Sequence, residues 1–532
     1  MLRAHTLATM RNLVKLSLLS LASLAAVACS GAPMDVTQDG EEDLTSASAR
    51  ARKLTFQSYV YVDQGSSDSE ILREVQSQTQ TAFGALRTSE VSVASRELKG
   101  VDPKTFKKET VTVVDPANTS STRTMVKVTY RYSDDAIVPV AMAKRTSLSS
   151  AVMSQDYSSQ TQRILKECTA NDSEAREFSS SIWYVFDPSQ SSCGTAMTAE
   201  QKQIDADKAK VGTGKVPTSE VNRLYYPIVV KLSSAKTNAG NTFPEYDKLY
   251  TGGVKPGRLV ISMVNGLIDH ENHANINDDS AYGEWMDELA GLIKGHGFKF
   301  ASIEGNADLT SFTVGTKTVR VPGGLLDAIH METDGSAFPT GLSYTEKTQL
   351  RAAIANKLAY KWIRLEAPVK VKIGANAEKT VTIEIMTYFG AGSSSTPHKY
   401  AIKNSDVFLY NGHSYIGYGP LDPSNFSASD FPSSYQILFV DGCVSFNYYN
   451  RGYYPLKSGG TKNLDMIVNG MEAPSWHSGY ALGQFVQTLL DGTQASYLDL
   501  LEAASDTDSL RVVDGESDNT YKRTTTPITV KN

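Results

Sequence analysis

Two short runs of apolar residues constrain the fold of this 532-residue chain more than any other feature. Residues 407–410 (VFLY) and 437–440 (ILFV) are apolar at every position, whereas a strand with one face in water alternates apolar and polar residues. Continuous apolar strands are typical of a parallel sheet that is covered on both faces. Helix signals alternate with strand signals from residue 258 to residue 490, which favours an α/β fold.

The second half of the chain carries clear local signals for individual elements. Residues 258–264 form a short apolar strand pattern, and residues 281–294 and 480–490 show apolar residues at helical spacing. A capping-box sequence at 343–346 (SYTE) predicts the start of another helix. Residues 369–388 predict a hairpin. The order of these elements predicts a mainly parallel sheet flanked by helices.

The first half reads differently and shows no catalytic constellation. Residues 55–62 and 124–132 alternate like strands, and residues 70–86 have helical spacing. We therefore predict a smaller α+β domain ahead of the parallel sheet. The predicted organisation is a signal peptide (1–28), a flexible tether (29–52), the α+β domain (53–236), the α/β domain (250–505) and a C-terminal tail (506–532).

The N-terminus predicts export. Three basic residues precede or begin an apolar run at 13–28, which is too short and too rich in Ser and Ala for a membrane-spanning helix. The run ends in residues 26–30 (AVACS), which resemble a bacterial lipobox. That resemblance implies a lipid on Cys29 and, because Ser30 follows, an outer-membrane or cell-surface lipoprotein. Ala26 stands where Leu is commonest, so cleavage without lipidation, giving a periplasmic or secreted protein, remains the alternative.

Charge and hydropathy restrict the partners. The 52 Lys and Arg residues are outnumbered by 58 Asp and Glu residues, giving a formal net charge of −6. Binding of nucleic acid depends on a basic surface, so a nucleic-acid partner is not expected. No apolar run of membrane-spanning length follows the N-terminus, so contact with a membrane is expected only through the lipid anchor.

Export also makes the four cysteines interpretable. Cys29 is the candidate for lipidation, and Cys168 and Cys193 lie close enough in the first half to form a disulfide in an oxidising compartment. This pairing leaves Cys443 as a single thiol. A single thiol in an exported chain is either a buried structural residue or a reactive group, and its surroundings decide which.

A histidine and this cysteine follow the two apolar strands. The first strand ends in residues 410–414 (YNGHS) and the second in residues 440–445 (VDGCVS). Functional residues in open α/β sheets gather beyond the carboxyl ends of strands. If the strands are parallel neighbours, His413 and Cys443 meet at one edge of the sheet. An imidazole beside a thiol accepts its proton and increases the reactive thiolate fraction.

These two segments resemble those of the caspase-like cysteine peptidases, the group that contains caspases, metacaspases, gingipains and legumains. Residues 410–413 are similar to the Y-x-G-H segment of metacaspases and gingipains, and residues 441–445 to the metacaspase D-x-C-x-S segment. The resemblance implies a caspase-like fold, with Cys443 as the nucleophile and His413 as the general acid and base. It also implies an oxyanion hole made by the backbone N–H groups of Cys443 and Ser414, although the family has Gly where Ser414 stands.

The resemblance further implies a substrate preference. Asp441 matches the acidic residue that selects a basic side chain at the cleavage point in metacaspases, which predicts cleavage after Arg or Lys. Residues two apart in an extended strand point to the same side, so Asp441 and Cys443 are expected to share a cleft. The alternative is that Asp441 caps the turn through its own backbone.

An acidic loop after the first strand is the remaining candidate for a ligand. Residues 269–279 contain His270 and His273 together with several carboxylates, but not at the spacing of a zinc helix. A solvated acidic loop is the favoured interpretation and a Ca²⁺ site the alternative, so neither a metal nor another cofactor is expected. The chain is thus expected to be an exported cysteine endopeptidase acting on proteins or peptides. The rival hypothesis is a catalytically inactive surface lipoprotein that uses the same domain as a binding scaffold.

Overall fold

The computed structural model of this protein describes residues 44–170, 172–236, 242–270, 273–474, 478–504 and 509–531. The predicted signal peptide and residues 29–43 of the predicted tether, including Cys29, lie outside the described residues. Residues Gly40–Asn532 form one unit, built around two large sheets and a small hairpin. Within the described residues, no helix is both long enough and apolar enough to cross a membrane.

The first sheet has seven strands and is mostly antiparallel. Its strands are β1 (Ala49–Asp63), β2 (Ser92–Val93), β3 (Lys107–Asp115), β4 (Asn118–Pro139), β5 (Ser147–Met153), β6 (Lys215–Pro217) and β7 (Tyr225–Leu232). They lie in the order β5-β7-β1-β4-β3-β6, with β2 beside β4. The helices of this region are α1 (Asp68–Gln80), α2 (Ala82–Arg87), α3 (Thr161–Glu167), α4 (Asp172–Glu177), α5 (Ile182–Val185), α6 (Ser191–Val211) and α7 (Thr218–Val221).

Local chemistry explains two features of this first region. The Ser67 hydroxyl and the Glu70 carboxylate form a reciprocal capping box that starts α1, and the buried residues Ile71 and Val75 fix its inward face. Cys168, which follows α3, forms a disulfide with Cys193 in α6, with their Cα atoms 4.6 Å apart. The disulfide ties two helices of this region together.

The second region contains a nine-stranded sheet. Its strands and those of the separate hairpin (β10 and β11) are β8 (Arg258–Gly266), β9 (Lys299–Ile303), β10 (Ser311–Val314), β11 (Lys317–Arg320), β12 (Ile363–Ile373), β13 (Lys379–Ala391), β14 (Val407–Asn411), β15 (Gln436–Asp441), β16 (Leu464–Asn469), β17 (Arg511–Asp514) and β18 (Ile528–Lys531). The helices are α8 (Tyr246–Thr251), α9 (Ser280–His296), α10 (Leu325–Thr333), α11 (Tyr344–Leu358), α12 (Thr396–Lys403), α13 (Ser445–Tyr449), α14 (Ser478–Leu490) and α15 (Tyr497–Ala503).

The nine-stranded sheet has a parallel centre and antiparallel margins. The strand order is β17-β16-β15-β14-β8-β13-β12-β18, with β9 beside β12. Strands β16, β15, β14, β8 and β13 pair in parallel, whereas β17, β12, β18 and β9 pair antiparallel to their neighbours. The mixed α/β content predicted from the sequence is confirmed.

Both faces of the parallel centre are covered, which explains the uninterrupted apolar strands. On one face, Leu409 and Phe439 belong to a core that includes Trp285 of α9. On the other face, Phe408 belongs to a core that continues into Phe56 of the first sheet. The first region therefore provides the cover for one face of the second sheet.

The chain termini also join this sheet. Thr45, in the predicted tether, exchanges two backbone hydrogen bonds with Val513 of β17, at 3.2 and 2.9 Å. The segment after residue 505, which the sequence presents as a tail, supplies β17 and β18. Both segments lack the long apolar patterns that identify a strand in sequence, because they pair at the margins of an existing sheet.

Candidate active site

The ends of three neighbouring parallel strands place the candidate residues at one edge of the sheet. Asn411 at the end of β14 lies in register with Asn265 of β8 on one side and with Asp441 of β15 on the other. His413 follows β14 by two residues, and Cys443 follows β15 by two residues. Strands β14 and β15 are thus the parallel neighbours that the sequence predicts, and both loops leave the sheet at the same edge.

The two loops approach each other so closely that only glycine fits between them. A Cβ atom on Gly442 would lie 2.5 Å from the Ser414 Oγ and 3.1 Å from the Gly412 carbonyl oxygen. The Ser414 side chain itself is buried. The backbone carbonyl oxygen of Ser414 accepts a hydrogen bond from the Tyr449 hydroxyl at 2.8 Å. Gly442 is therefore required by the close approach of the two loops.

Both loops contain residues with a strained backbone. Val444, directly after Cys443, has φ = 52°, and Tyr415 and Ile416 after His413 have φ = 50° and 51°. Positive φ is costly for bulky and especially for β-branched residues, and strain of this kind clusters at functional sites. Val444 is held in this conformation by its backbone N–H, which donates to the Met471 carbonyl oxygen at 3.0 Å.

His413 is exposed and oriented by one hydrogen bond. Its Nε2 lies 2.7 Å from the carbonyl oxygen of Ile268, in the loop that follows β8. Because a carbonyl oxygen can only accept a hydrogen bond, Nε2 carries the proton in this contact. In the neutral ring Nδ1 is then the nitrogen that can accept a proton. The ring also makes an edge contact with Tyr415.

Cys443 is a partly buried free thiol. Its Sγ lies 4.0 Å from the carbonyl oxygen of Ala473, in the segment after β16. Burial, together with the negative charges of Glu472 and Asp441, raises the pKa of the Cys443 thiol to about 11, although the Ala473 contact and the Arg87 charge oppose the rise. The thiol is accordingly protonated near neutral pH.

The structure brings the two loops together but not the two reactive groups. The His413 imidazole is hydrogen-bonded to Ile268 in the loop after β8, whereas the Cys443 thiol faces Ala473 in the segment after β16. In the described residues no hydrogen bond joins the imidazole to the thiol. A Cys–His dyad therefore requires a side-chain rotation from the conformation seen here.

Two backbone N–H groups are placed at the same edge. No hydrogen bond among the described residues engages the backbone N–H of Ser414 or that of Cys443. N–H groups without a partner at a strand edge suit the binding of an anionic oxygen. These are the two donors that the sequence predicts for an oxyanion hole, and the presence of Ser414 instead of Gly leaves its N–H available.

The structure assigns Asp441 a role different from the predicted one. The side chain is buried, and its Oδ1 accepts from the Arg511 guanidinium at 2.8 Å and from the Asn469 amide at 2.6 Å. A carboxylate that is already paired with an internal arginine is not free to bind a substrate's basic side chain. The specificity role predicted for Asp441 is corrected by this geometry, since side-chain partners from β16 and β17 could not be read from the motif.

A buried polar row beneath the site was not found from the sequence. The Asn265 amide donates to Glu288, and the Asn411 amide donates to Glu284, each at 3.4 Å. Burial raises the pKa of Glu284 to about 7 and that of Glu288 well above its usual range. The signal that could have revealed this row is the pair of carboxylates four residues apart within the apolar stripe of α9.

The first region holds the loop that follows His413. The Arg96 guanidinium donates to both carboxylate oxygens of Asp422, at 3.0 and 3.1 Å, and to the Gly417 carbonyl oxygen at 2.6 Å. The Asn447 amide, in α13 after Cys443, donates to the carbonyl oxygens of Val93 and Ser95 at 2.9 Å. The loops after β14 and β15 are therefore tied to the first region, a connection that no local motif indicates.

The acidic loop after β8 uses its carboxylates as caps. Asp279 accepts hydrogen bonds from the backbone N–H groups of Ile268 and Ala281, and Asp269 accepts one from that of Ser280. In the part of the chain that the structure describes, no group of three or more His, Cys, Asp or Glu residues is arranged to hold a metal ion. The carboxylates of this loop instead support the start of α9 and the carbonyl group that orients His413.

No family model, curated protein or solved structure matches this chain. The strand-end site holds one thiol, one imidazole and two backbone N–H groups.

Proposed function

We propose that this chain is an exported cysteine endopeptidase with a caspase-like arrangement, in which His413 and Cys443 form the catalytic dyad. The observation that carries the proposal is the parallel, in-register pairing of β14 and β15, which delivers both residues to one edge of the sheet. The N–H groups of Ser414 and Cys443 at that edge supply a binding place for the oxyanion. A thiol, a base and oxyanion donors are the components that acyl transfer requires.

The mechanism follows from these groups. The Ile268 carbonyl keeps the proton on Nε2, so Nδ1 takes the proton from the Cys443 thiol when the thiol turns from Ala473 toward the ring. The thiolate then forms a bond with the carbonyl carbon of the scissile peptide, and the negative charge develops on the oxygen facing the Ser414 and Cys443 N–H groups. Collapse of this intermediate breaks the C–N bond, and the imidazolium returns its proton to the leaving amine. Water then gives a proton to Nδ1 and attacks the carbonyl carbon of the thioester. The C–S bond breaks, the carboxylic acid leaves, and the imidazolium returns its proton to the Cys443 thiolate.

The conformation described above is a resting state in this proposal. A thiol with a pKa of about 11 is a poor nucleophile at neutral pH, and formation of an ion pair with a protonated imidazole is the ordinary way to lower it. Turning the Cys443 thiol away from Ala473 and toward His413 assembles that pair. Because Asp441 is paired with Arg511, it is not the basis for a preference for Arg or Lys.

The proposed location is the outer membrane or the cell surface, through a lipid on Cys29, with a periplasmic or secreted form as the alternative. The Cys168–Cys193 disulfide supports an oxidising compartment, because disulfides persist there and are rare in the cytosol. Cell fractionation of Cys29→Ala tests the lipid anchor. The wild-type chain should be found in the membrane fraction, and the variant should be released from it.

A second candidate function is a non-catalytic binding scaffold. The raised pKa of Cys443 and the orientation of its Sγ toward Ala473 favour this alternative. A scaffold tolerates a protonated, separated thiol, whereas an enzyme must activate it in its working state.

Covalent labelling separates the two functions. Peptidyl acyloxymethyl ketones that react only with an activated cysteine are expected to label the wild-type chain at Cys443, and labelling should be lost in Cys443→Ala. His413→Ala is the matched control, since it retains the thiol but removes the base. Equal labelling of wild type and His413→Ala, or no labelling above the background of Cys443→Ala, would support the scaffold and contradict the enzyme.

A further inference from the structure

An exposed carboxylate lies beside the candidate nucleophile. Glu472 precedes Ala473, whose carbonyl oxygen faces the Cys443 thiol, and its side chain is 44% exposed. The Tyr184 hydroxyl of α5 donates to the Glu472 carboxylate at 3.3 Å. An aromatic ring and a carboxylate next to each other form a receptor for a planar cation, because guanidinium both stacks on rings and pairs with carboxylates.

A guanidinium from the first region already occupies this receptor. Arg87, the last residue of α2, forms an ion pair with Glu472 and lies over the Tyr184 ring at 4.4 Å. Its side chain is only 13% exposed, and its charge acts on the Cys443 thiol. Arg87 therefore stands beside the nucleophile in the position that the basic side chain of a peptide would take.

The helix that carries Arg87 is firmly positioned. A Cβ atom on Gly84 would lie 2.7 Å from the carbonyl oxygens of Trp183 and Phe186, so α2 packs directly against α5. The Tyr184 ring is stacked by Phe178 and Phe83 at 4.7 and 5.4 Å. The Glu472 carboxylate is 44% exposed, so water screens much of its attraction to Arg87. Its placement beside the thiol is thus better explained by recognition than by folding.

We propose that Tyr184 and Glu472 form the subsite for a substrate's Arg or Lys side chain and that Arg87 is its internal occupant. The proposal rests on the peptidase function proposed above. Glu472, and not Asp441, then selects the basic residue, and Arg87 competes with substrate for the same carboxylate. The first region becomes a built-in restraint on entry of basic peptides.

The first test reads binding without catalysis. Nα-acetyl-arginine amide is added to Arg87→Ala, and the rate of alkylation of Cys443 by iodoacetamide is followed by peptide mass spectrometry. We expect the ligand to slow alkylation, with half-protection at a concentration at least about tenfold lower than for an uncharged analogue, the effect of one charge-assisted contact of about 1.4 kcal/mol. Nα-acetyl-norleucine amide, which has no charge, should give little protection. The wild-type chain, with Arg87 in place, should show little protection by either compound.

Variants of the receptor provide the controls. Glu472→Gln in the Arg87→Ala background should abolish protection by the arginine compound. Arg73→Ala is the matched arginine control, because Arg73 is 71% exposed and its ion pair among the described residues is with its neighbour Glu74. If Arg87→Ala unfolds, Arg87→Gln keeps the side chain as far as Cδ without its charge. Equal protection by the arginine and norleucine compounds in a folded Arg87 variant, or protection that survives Glu472→Gln, would overturn the subsite.

A second readout separates the subsite from the peptidase. If the arginine compound protects Cys443 but no peptide is hydrolysed, the subsite is supported and the proposed peptidase function is contradicted. Hydrolysis that is equally fast after Arg and after norleucine, in both Arg87→Ala and Arg87→Ala/Glu472→Gln, would overturn the subsite while the peptidase stands. With both correct, Arg87→Ala should raise kcat/KM for Arg substrates at least about tenfold and change that for norleucine substrates little.

Discussion

Substitution of Asp441 by Asn tests the role that the structure assigns to this carboxylate. Asp441 and Arg511 form a buried pair in which the two side chains are 0% and 5% exposed. Removing one member of such a pair costs about 3–5 kcal/mol, because the remaining charge is left in a medium that solvates it poorly. Arg511 retains the Asn469 oxygen at 2.9 Å and the Phe439 ring at 4.8 Å. We therefore expect Asp441→Asn to lower the free energy of unfolding by about 3 kcal/mol, the lower end of that range.

Urea unfolding followed by tryptophan fluorescence measures this loss. Asp68→Asn is the control for a surface pair, because Asp68 and Lys108 are 91% and 44% exposed, and it should leave the midpoint unchanged. If the chain hydrolyses peptides, Asp441→Asn should reduce kcat/KM by the same factor for basic and neutral substrates. A variant as stable as wild type that loses activity only toward Arg substrates would refute the structural role and restore Asp441 as the selector of basic residues.

Three further predictions follow from the same structure. Replacing Cys168 and Cys193 together by Ser should lower the free energy of unfolding by about 3 kcal/mol, since the disulfide closes a loop with a sequence separation of 25 residues; the unfolding midpoints of the two chains check this. Gly442→Ala should reduce Cys443 labelling at least about tenfold, because the new Cβ meets the Ser414 Oγ. Adding Ser414→Ala should restore much of the labelling, and failure to restore it would contradict the steric explanation. Burial raises the pKa of Glu284 to about 7, above its value in an unfolded chain, so stability should fall as pH rises from about 4.5 to 7. Glu284→Gln should therefore flatten the dependence of Tm on pH over that window, and identical slopes in the two chains would rule this out.

Much of the sheet that carries the candidate site could be predicted from the sequence. The apolar runs at 407–410 and 437–440 lie in β14 and β15, and the SYTE sequence caps α11 as predicted. These signals depend on a few neighbouring residues, so the predicted elements are present in the structure and only their boundaries shift slightly. Strands β17 and β18 escaped prediction because their stability comes from pairing with a sheet that the chain has already formed.

The sequence alone also indicated that His413 and Cys443 would lie at one edge of the sheet. Two loops with Gly beside a His and beside a Cys were expected at the ends of parallel strands, and the pairing of β14 with β15 puts them at one edge. Their side-chain directions were not predictable. The His413 ring is oriented by a hydrogen bond to a carbonyl group 145 residues earlier in the chain. The Cys443 thiol faces a carbonyl group 30 residues later.

The sequence by itself determined the local elements and the edge at which the candidate groups emerge, because periodicity, capping and turn chemistry are properties of neighbouring residues. Only the tertiary structure decided which charges meet. Asp441 is neutralised by an arginine 70 residues away, and Glu472 by Arg87 across 385 residues. A carboxylate in a motif has the same appearance whether its partner is a substrate or another part of the chain, and the difference lies in the packing of two sheets against each other.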